Sequence, residues 1–397
     1  KFFEKPMAFC RRAALAFAAA TCTLSLARSP VQRAFLLSDC HGHQLPERSW
    51  NKGRSFRSLR LDLGAQVCAP ESQQLGVFLA LWAAGLAALL SFAQPAAAEA
   101  VSYTDESHQD RRVFSVGDLH GDAQSCQKIL KSLGLMGDAG EWTGGRSILV
   151  QTGDVTDRGD ASGPIFQSLF RLQDEAPASG GKVILLLGNH ELMNLQGDFR
   201  YATPPDTASI AALEPDLKGE SSSSLQTRTR IFSKEGWLGQ GVRERFQALA
   251  VERNVLFVHA GLLPIFKDML PGGLDSVNAE VKRLLTQDAS SLRMEASPLL
   301  GDDGPFWTRR LALGPEGSIC REVQESLDLV GVTRMVVGHT AQADGRVHSR
   351  CQGRLVLGDT LISRFYTGTA HPSAVEYFVD GTAEAIDMLR NQRTALS

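Results

Sequence analysis

Cysteine is too scarce in this chain to organise a fold. Seven occur in 397 residues, and Cys10, Cys22, Cys40 and Cys68 all lie toward the N-terminus. The others, Cys126, Cys320 and Cys351, lack the close spacing of a disulfide scaffold or a zinc site. Cys320 and Cys351 are therefore expected as unpaired core thiols, with a redox pair as the alternative. Excess charge of either sign is missing as well. A formal net charge of −3 excludes wholesale binding of nucleic acid. Internal repeats are absent, and the composition is that of one large or two small ordinary domains.

Acidic residues are thin at the N-terminus. Up to position 70, Arg11, Arg12, Arg28, Arg33, Arg48, Lys52, Arg54, Arg57 and Arg60 are opposed only by Glu4, Asp39, Glu47 and Asp62. The stretch is rich in Ser and Ala and has no strand–helix rhythm, the profile of an organelle transit peptide. A nearly continuous apolar run, Leu75 to Ala93, follows and closes on Gln94-Pro95-Ala96-Ala97-Ala98-Glu99-Ala100. Its length is near the minimum for a membrane-spanning helix, roughly 20 residues, and its small-residue end has the form of a processing site. Together the two segments resemble the two-part presequence of a plastid protein sent toward the thylakoid. Residues 1–100 are thus expected to be a largely disordered targeting presequence for the chloroplast. Association with the thylakoid or another membrane through 75–93 would follow if that run is kept; an anchor elsewhere and a secretory route are the alternatives. Because the chain begins at Lys1, its true start is expected upstream.

From Val101 onward, strands, loops and helices alternate, which argues for an α/β catalytic domain over 101–390, followed by a frayed tail at 391–397. Short apolar runs bounded by polar residues read as buried strands: Arg111–Val116, Ser147–Gln151, Val183–Leu187, Asn254–Val258, Thr333–Val337 and Arg354–Leu357. Ala374–Val379 and Ala383–Met388 read as a hairpin. Residues 201–230 carry Pro204-Pro205 and Ser221 to Ser224, and are expected to leave the core and be mobile around the serines. Ile231 to Leu249 reads as one amphipathic helix.

Five of these strands end in residues that bind metals: Asp118 and His120, Asp154, Asn189, His259 and His339. Chemistry in open α/β folds collects beyond the carboxyl ends of strands, so these residues should converge. Mixed nitrogen and oxygen donors suit manganese, iron or zinc rather than calcium. One carboxylate could bridge two ions, and two ions about 3.5–4 Å apart clamp the attacking and leaving oxygens of a phosphoryl displacement. Arg158 and Arg309 (or its neighbour Arg310) can supply planar donors for a phosphate. His190 is free to protonate a leaving oxygen, and Asp157 can orient its ring.

Gly117-Asp118-Leu119-His120-Gly121, Gly153-Asp154-Val155-Thr156-Asp157-Arg158-Gly159, Gly188-Asn189-His190-Glu191, His259-Ala260-Gly261 and Gly338-His339-Thr340 together resemble the motif set of the phosphoprotein phosphatases among the calcineurin-like metallophosphoesterases. The run from Gly188 to Tyr201 narrows the resemblance to the bacterial-like, Shewanella-like protein phosphatases, plastid type. The resemblance covers residues 110–380 and implies two mixed β-sheets in a sandwich flanked by helices. It implies one metal on Asp118, His120 and Asp154, and a second on Asp154, Asn189, His259 and His339. It makes His190 and Asp157 the acid pair, Arg158 and Arg309 the phosphate binders, and Glu191 an orienting residue. Two divalent ions follow, manganese first with iron or zinc as alternatives. The implied activity is hydrolysis of phosphomonoesters on phosphoproteins by a metal-activated hydroxide, phosphoserine and phosphothreonine ahead of phosphotyrosine. Hydrolysis of dinucleoside polyphosphates or other small phosphoesters is the alternative. Two departures stand out: Thr156 where the family has Val, and Gly358 to Ser363 in place of a C-terminal inhibitor loop.

Overall fold

Alternation within the apolar runs decides the layering. In β1 (Val113–Val116), β2 (Ile148–Gln151) and β3 (Lys182–Leu186) almost every side chain is buried, as expected of parallel strands covered on both faces. Val113, Ile148, Val150, Ile184 and Leu186 join one core cluster, while Phe114, Val116, Leu149, Val183 and Leu185 join another. The same period of two separates Val255 and Phe257 from Leu256 and Val258 in β6 (Val255–Val258). The first cluster fills the space between two sheets, and the second faces helices.

The computed structural model describes residues 111–397 apart from 215–222, 288–291 and 293–296. The chain divides into units Lys1–Glu99 and Ala100–Ser397, and only the second contains described residues. One sheet has the order β12-β11-β10-β1-β2-β3-β4. Its strands β1 to β4 (Phe246–Gln247) are parallel, and β10 (Ser373–Tyr377), β11 (Ala383–Asp387) and β12 (Gln392–Ala395) continue it antiparallel. The second sheet runs β5-β6-β7-β9-β8. There β6, β7 (Arg334–Val337) and β9 (Leu355–Leu357) are parallel, between antiparallel edges β5 (Leu249–Glu252) and β8 (His348–Arg350). The α/β sandwich of two mixed sheets is thus as expected. Register sets Val116 beside Gln151, and Gln151 beside Leu185, so the loops that follow these strands start at one level.

Helices α1 (Ala123–Ser132) and α2 (Ser162–Glu175) cover the outer face of the first sheet through Ile129, Leu130, Ile165, Phe166, Leu169 and Leu172. The short α3 (Asn189–Gln196) follows β3 directly and is buried along nearly its whole length. Of residues 201–230, those at 215–222, which hold Ser221 and Ser222, lie outside the described residues; the rest do not leave the core as expected. They form α4 (Pro204–Ala211), capped by Thr203, and α5 (Leu225–Phe232), capped by Ser224. Both helices bury polar residues, among them Asp206, Thr207 and Arg228, which only an internal set of partners permits.

Three further expectations are corrected. The single helix over Ile231–Leu249 is broken: α5 ends at Phe232, α6 spans Trp237–Arg245, and the chain then enters β4 and β5. A Cβ at Gly236 would overlap the carbonyl oxygens of Arg230 and Ile231, so the close turn there needs glycine. The C-terminal residues are not frayed, since Gln392–Ala395 pairs with β11. Cys320, on α7 (Glu316–Val330), and Cys351, just after β8, form a disulfide rather than two thiols. Wide spacing in sequence had argued against pairing, but the fold brings their Cα atoms to 5.3 Å.

Chloroplast targeting, membrane or thylakoid association through 75–93, and an anchored or secretory route are also corrected. Among the described residues no helix is long and apolar enough to cross a membrane, and 75–93 lies outside the described residues.

The disulfide joins positions 31 residues apart, so its loss should lower stability by about 2–4 kcal/mol through loop entropy. Thermal unfolding of Cys320→Ser beside the oxidised wild type measures this. Equal midpoints would show that the link contributes nothing.

Candidate metal centre

Strands of both sheets deliver the centre. Asp118 and His120 follow β1, Asp154, Asp157 and Arg158 follow β2, and Asn189 and His190 open α3 after β3. His259 follows β6 and His339 follows β7. Five of these residues take left-handed backbone angles: His120 (φ 38°), Asp154 (55°), Asp157 (72°), Arg158 (63°) and His339 (62°). Such conformations cost on the order of 1–3 kcal/mol each and persist only where the surroundings over-determine them.

Glu191 supplies much of that determination. Its carboxylate accepts backbone N–H groups from Asp154 (2.9 Å), Val155 (2.8 Å), Thr156 (3.2 Å) and Gly188 (3.0 Å). Burial beside Asp154 pushes its proton affinity up to about 7, and the N–H donors pull against that. Asp154 in turn accepts Leu119 N–H and His120 N–H at its carbonyl, and His190 N–H at Oδ1 (2.9 Å). A Cβ at Gly188 would overlap Asp154 Oδ1, and one at Gly338 would overlap Asp118 Oδ1. Both motif glycines are therefore required by close packing against a carboxylate.

The histidines are aimed by backbone carbonyls. His120 Nδ1 lies 3.0 Å from Thr156 O, and His259 Nδ1 lies 2.8 Å from Thr152 O. A carbonyl can only accept, so both rings carry a proton on Nδ1 and present the Nε2 lone pair. His339 is turned the other way, with Nε2 3.0 Å from Trp307 O, so it presents Nδ1. Asp154 Oδ2 stands 3.6 Å from His120 Nε2 and 3.4 Å from His259 Nε2. His259 Nε2 is also 3.0 Å from Asn189 Oδ1. Two groups of potential ligands result, His120–Asp154–His190 and Asp154–His259–His339, each with its ligand atoms within 4.8 Å of one another. Asp154 belongs to both.

The electrostatics suit ligation. Burial opposes ionisation of Asp154, yet His259, His190 and His120 outweigh it and hold the carboxyl well below its usual range. Burial, with His190 nearby, pushes His120 down to about 3, and burial with His259 nearby pushes His339 far below an ordinary imidazole. Asp154 as a carboxylate beside neutral His120 and His339 suits a divalent cation. Against the pull of burial, Asp154 raises His259 above its ordinary value, so a cation bound there would displace a proton. Asp118 stands outside both groups: its oxygens accept His339 N–H (3.2 and 3.0 Å), and burial beside Asp359 and Asp154 raises its proton affinity.

His190 Nδ1 lies 2.8 Å from Asp157 Oδ2, so Nε2 faces the centre, 4.0 Å from Asp154 Oδ2. Burial disfavours the imidazolium, but Asp154 and Asp157 prevail and raise His190 above its usual value. Arg158 lies between the rings of Tyr201 (4.4 Å) and Tyr366 (4.9 Å), and its buried Nε has no partner. Arg309 donates to His339 O (2.6 Å) and Thr340 Oγ1 (3.2 Å), whereas Arg310 turns outward to Glu322 (2.8 Å). Of the two candidates, the structure sets Arg309 beside the centre.

Sequence reasoning missed several neighbours. Asp359, after β9, is buried, and burial with Asp154 close by raises it to about 6. Its Gly358-Asp359 pair repeats the Gly-Asp that ends β1 and β2, a signal that could have found it. Tyr366 packs edge-on to His120 and Tyr201 packs against His190; no spacing marks either. Asn194 and Arg228 bond Asp157 and Asp206 pairs with Arg228, and nothing in their sequence context marks them.

The calcineurin-like phosphoesterase family matches residues 111–342. An uncharacterised protein of Schizosaccharomyces pombe is 35% identical over 64% of this chain and 74% of its own length. Shewanella-like protein phosphatase 2 of Arabidopsis thaliana is 28% identical over 64% of this chain and 72% of its own. Among solved structures, the cold-active protein-tyrosine phosphatase of a psychrophilic Shewanella superposes with a TM-score of 0.60 at 24% identity, covering 72% of this chain and 80% of that one. That likeness establishes the fold alone.

Glu191→Ala leaves buried backbone N–H groups without an acceptor, each costing roughly 1–3 kcal/mol. The variant should unfold at lower denaturant and bind metal less tightly, measured by urea titration and by metal analysis after dialysis. Wild-type stability and metal content would remove Glu191 from this role.

Proposed function

The chain belongs to the calcineurin-like phosphoesterase family and is a metal-dependent enzyme acting on phosphate esters; on that premise we propose that it is a protein phosphatase. In this reading it belongs with the Shewanella-like protein phosphatases, the name carried by its Arabidopsis thaliana relative. The observation that carries the reading is Asp154, shared between two groups of imidazoles, with the His190–Asp157 pair beside it. The separations of 3.4 and 3.6 Å from Asp154 Oδ2 to the imidazole nitrogens exceed a hydrogen bond and suit two donors of one cation. Asp118, His120 and Asp154 would hold one divalent ion, and Asp154, Asn189, His259 and His339 the other. The donor set suits manganese, iron or zinc, manganese first. Two such ions, held by these residues, would supply Lewis acidity and a nucleophile at neutral pH.

The chain's own residues do the rest. Arg158, braced by Tyr201 and Tyr366, and Arg309, braced by the His339 loop, would orient the phosphate and take up its charge. His190 holds a proton on Nε2 and delivers it to the departing oxygen as the P–O bond breaks. Asp157 keeps that ring in place through Nδ1. An acid so positioned matters most for alkoxide leaving groups, which supports phosphoserine and phosphothreonine ahead of phosphotyrosine.

A panel of phosphoserine, phosphothreonine and phosphotyrosine peptides, run with each metal restored after chelation, tests the substrate class. Turnover should be highest on the first two with manganese. Preference for dinucleoside tetraphosphate over every peptide would overturn the protein-phosphatase reading. His190→Asn should lower turnover by about 10²–10⁴-fold while metal content stays at wild-type level, whereas Asp154→Asn should lose metal. An equal metal loss in both would remove His190 from the acid role.

A further inference from the structure

Behind the acid pair lies a guanidinium with no route to solvent. Arg228, on α5, is 0% exposed. Its Nε donates to Asn194 Oδ1 (2.7 Å). One terminal nitrogen donates to Asp206 Oδ2 (3.1 Å) and Thr207 Oγ1 (3.0 Å), and the other to Thr156 Oγ1 (3.0 Å) and Asp157 Oδ1 (2.7 Å). An arginine has five N–H groups, and here each meets a different oxygen. Such complete use of the fork defines one orientation of every partner, which a lysine could not do.

The grip on Asp157 is double. Arg228 holds Oδ1 directly, and through Asn194 it also governs Oδ2. The Asn194 amide, its oxygen engaged by Arg228, turns its Nδ2 to Asp157 Oδ2 (3.0 Å) and His190 O (2.8 Å). Asp157 Oδ2 is the atom that receives His190 Nδ1. The carboxylate plane is thereby locked with Oδ2 toward the imidazole. Thr156, the departure from the family's Val, belongs to this arrangement: its hydroxyl is one of the five acceptors. Asp206 completes the charge balance, its Oδ1 accepting Ser162 N–H (2.7 Å) while Oδ2 faces Arg228.

We infer that Arg228 is a positioning residue for the phosphoester hydrolysis, acting through Asp157 and Asn194 to aim the His190 ring at the leaving oxygen. The inference rests on the acid role proposed for His190 above. It predicts a dependence on leaving group that a merely structural arginine would not produce. Phenolate leaves poorly and needs the proton, whereas p-nitrophenolate leaves without it.

The test compares kcat/KM on phenyl phosphate and p-nitrophenyl phosphate for wild type, Arg228→Lys, His190→Asn and the double variant, with metal content measured on each. Lysine keeps the charge but not the fork. Arg228→Lys should lose about 10–100-fold on phenyl phosphate and under about 3-fold on p-nitrophenyl phosphate, less than the roughly 10²–10⁴-fold a general acid contributes, because the acid itself is kept. The double variant should lose no more than His190→Asn alone, because two residues acting through one group are not additive. Should Arg228→Lys fail to fold, Asp206→Asn combined with Arg228→Met removes cation and second carboxylate together, and it should discriminate between the substrates in the same way. Equal loss on both substrates, or lowered metal content, in Arg228→Lys while His190→Asn discriminates would overturn the positioning role. Equal loss on both substrates in His190→Asn itself would overturn the acid assignment, and the inference with it.

Discussion

One carboxylate, that of Glu191, ties the loop after β2 to the start of α3, and the centre depends on that tie. Its partners, the N–H groups of Gly188, Asp154, Val155 and Thr156, would otherwise be buried donors without acceptors. With them satisfied, Asp154 can hold its left-handed backbone and reach imidazoles from the loops after β1 and β6. Strain at Asp154 and packing against Gly188 are thus parts of one arrangement.

The sheets explain why the convergence occurs at all. Residues alternate along β1, β2, β3 and β6 between a core shared by the two sheets and a core shared with helices. Both faces are buried, so a polar side chain along these strands needs an internal partner, as Ser115 has in Tyr377, and charged ligand-type residues are disfavoured there. They collect where the strands stop. Parallel pairing in both sheets brings those stops to one end, and mixed donors from two sheets then face each other across Asp154.

The described residues of 201–232 show how a polar segment becomes interior. Tyr201, Asp206 and Arg228 lie on a stretch whose prolines and serines suggest exposure. Asp206 and Arg228 neutralise one another beside Asp157, and the prolines open α4 behind the Thr203 cap. Isolated buried ions are costly, but paired and fully hydrogen-bonded ones are tolerated and hold geometry. The segment therefore forms the wall behind His190 and Asp157.

Local pattern was enough for β1, β2, β3, β6, β7 and β9, for the β10–β11 hairpin, and for the polar residues that follow the site-bearing strands. Short apolar runs and Gly-flanked Asp, Asn and His report their surroundings within a few positions, so the placement of Asp118, His120, Asp154, Asn189, His190, His259 and His339 just beyond strand ends was legible in the sequence. What tertiary structure alone decided are contacts between residues distant in sequence. The disulfide of Cys320 with Cys351, the strand made by Gln392–Ala395, and the enclosure of Asp157 by Arg228 and Asn194 are all of this kind. Burial of a charged side chain depends on a partner that the neighbouring sequence does not contain. A pattern read along the chain sees the charge, and only the folded chain supplies its counterpart.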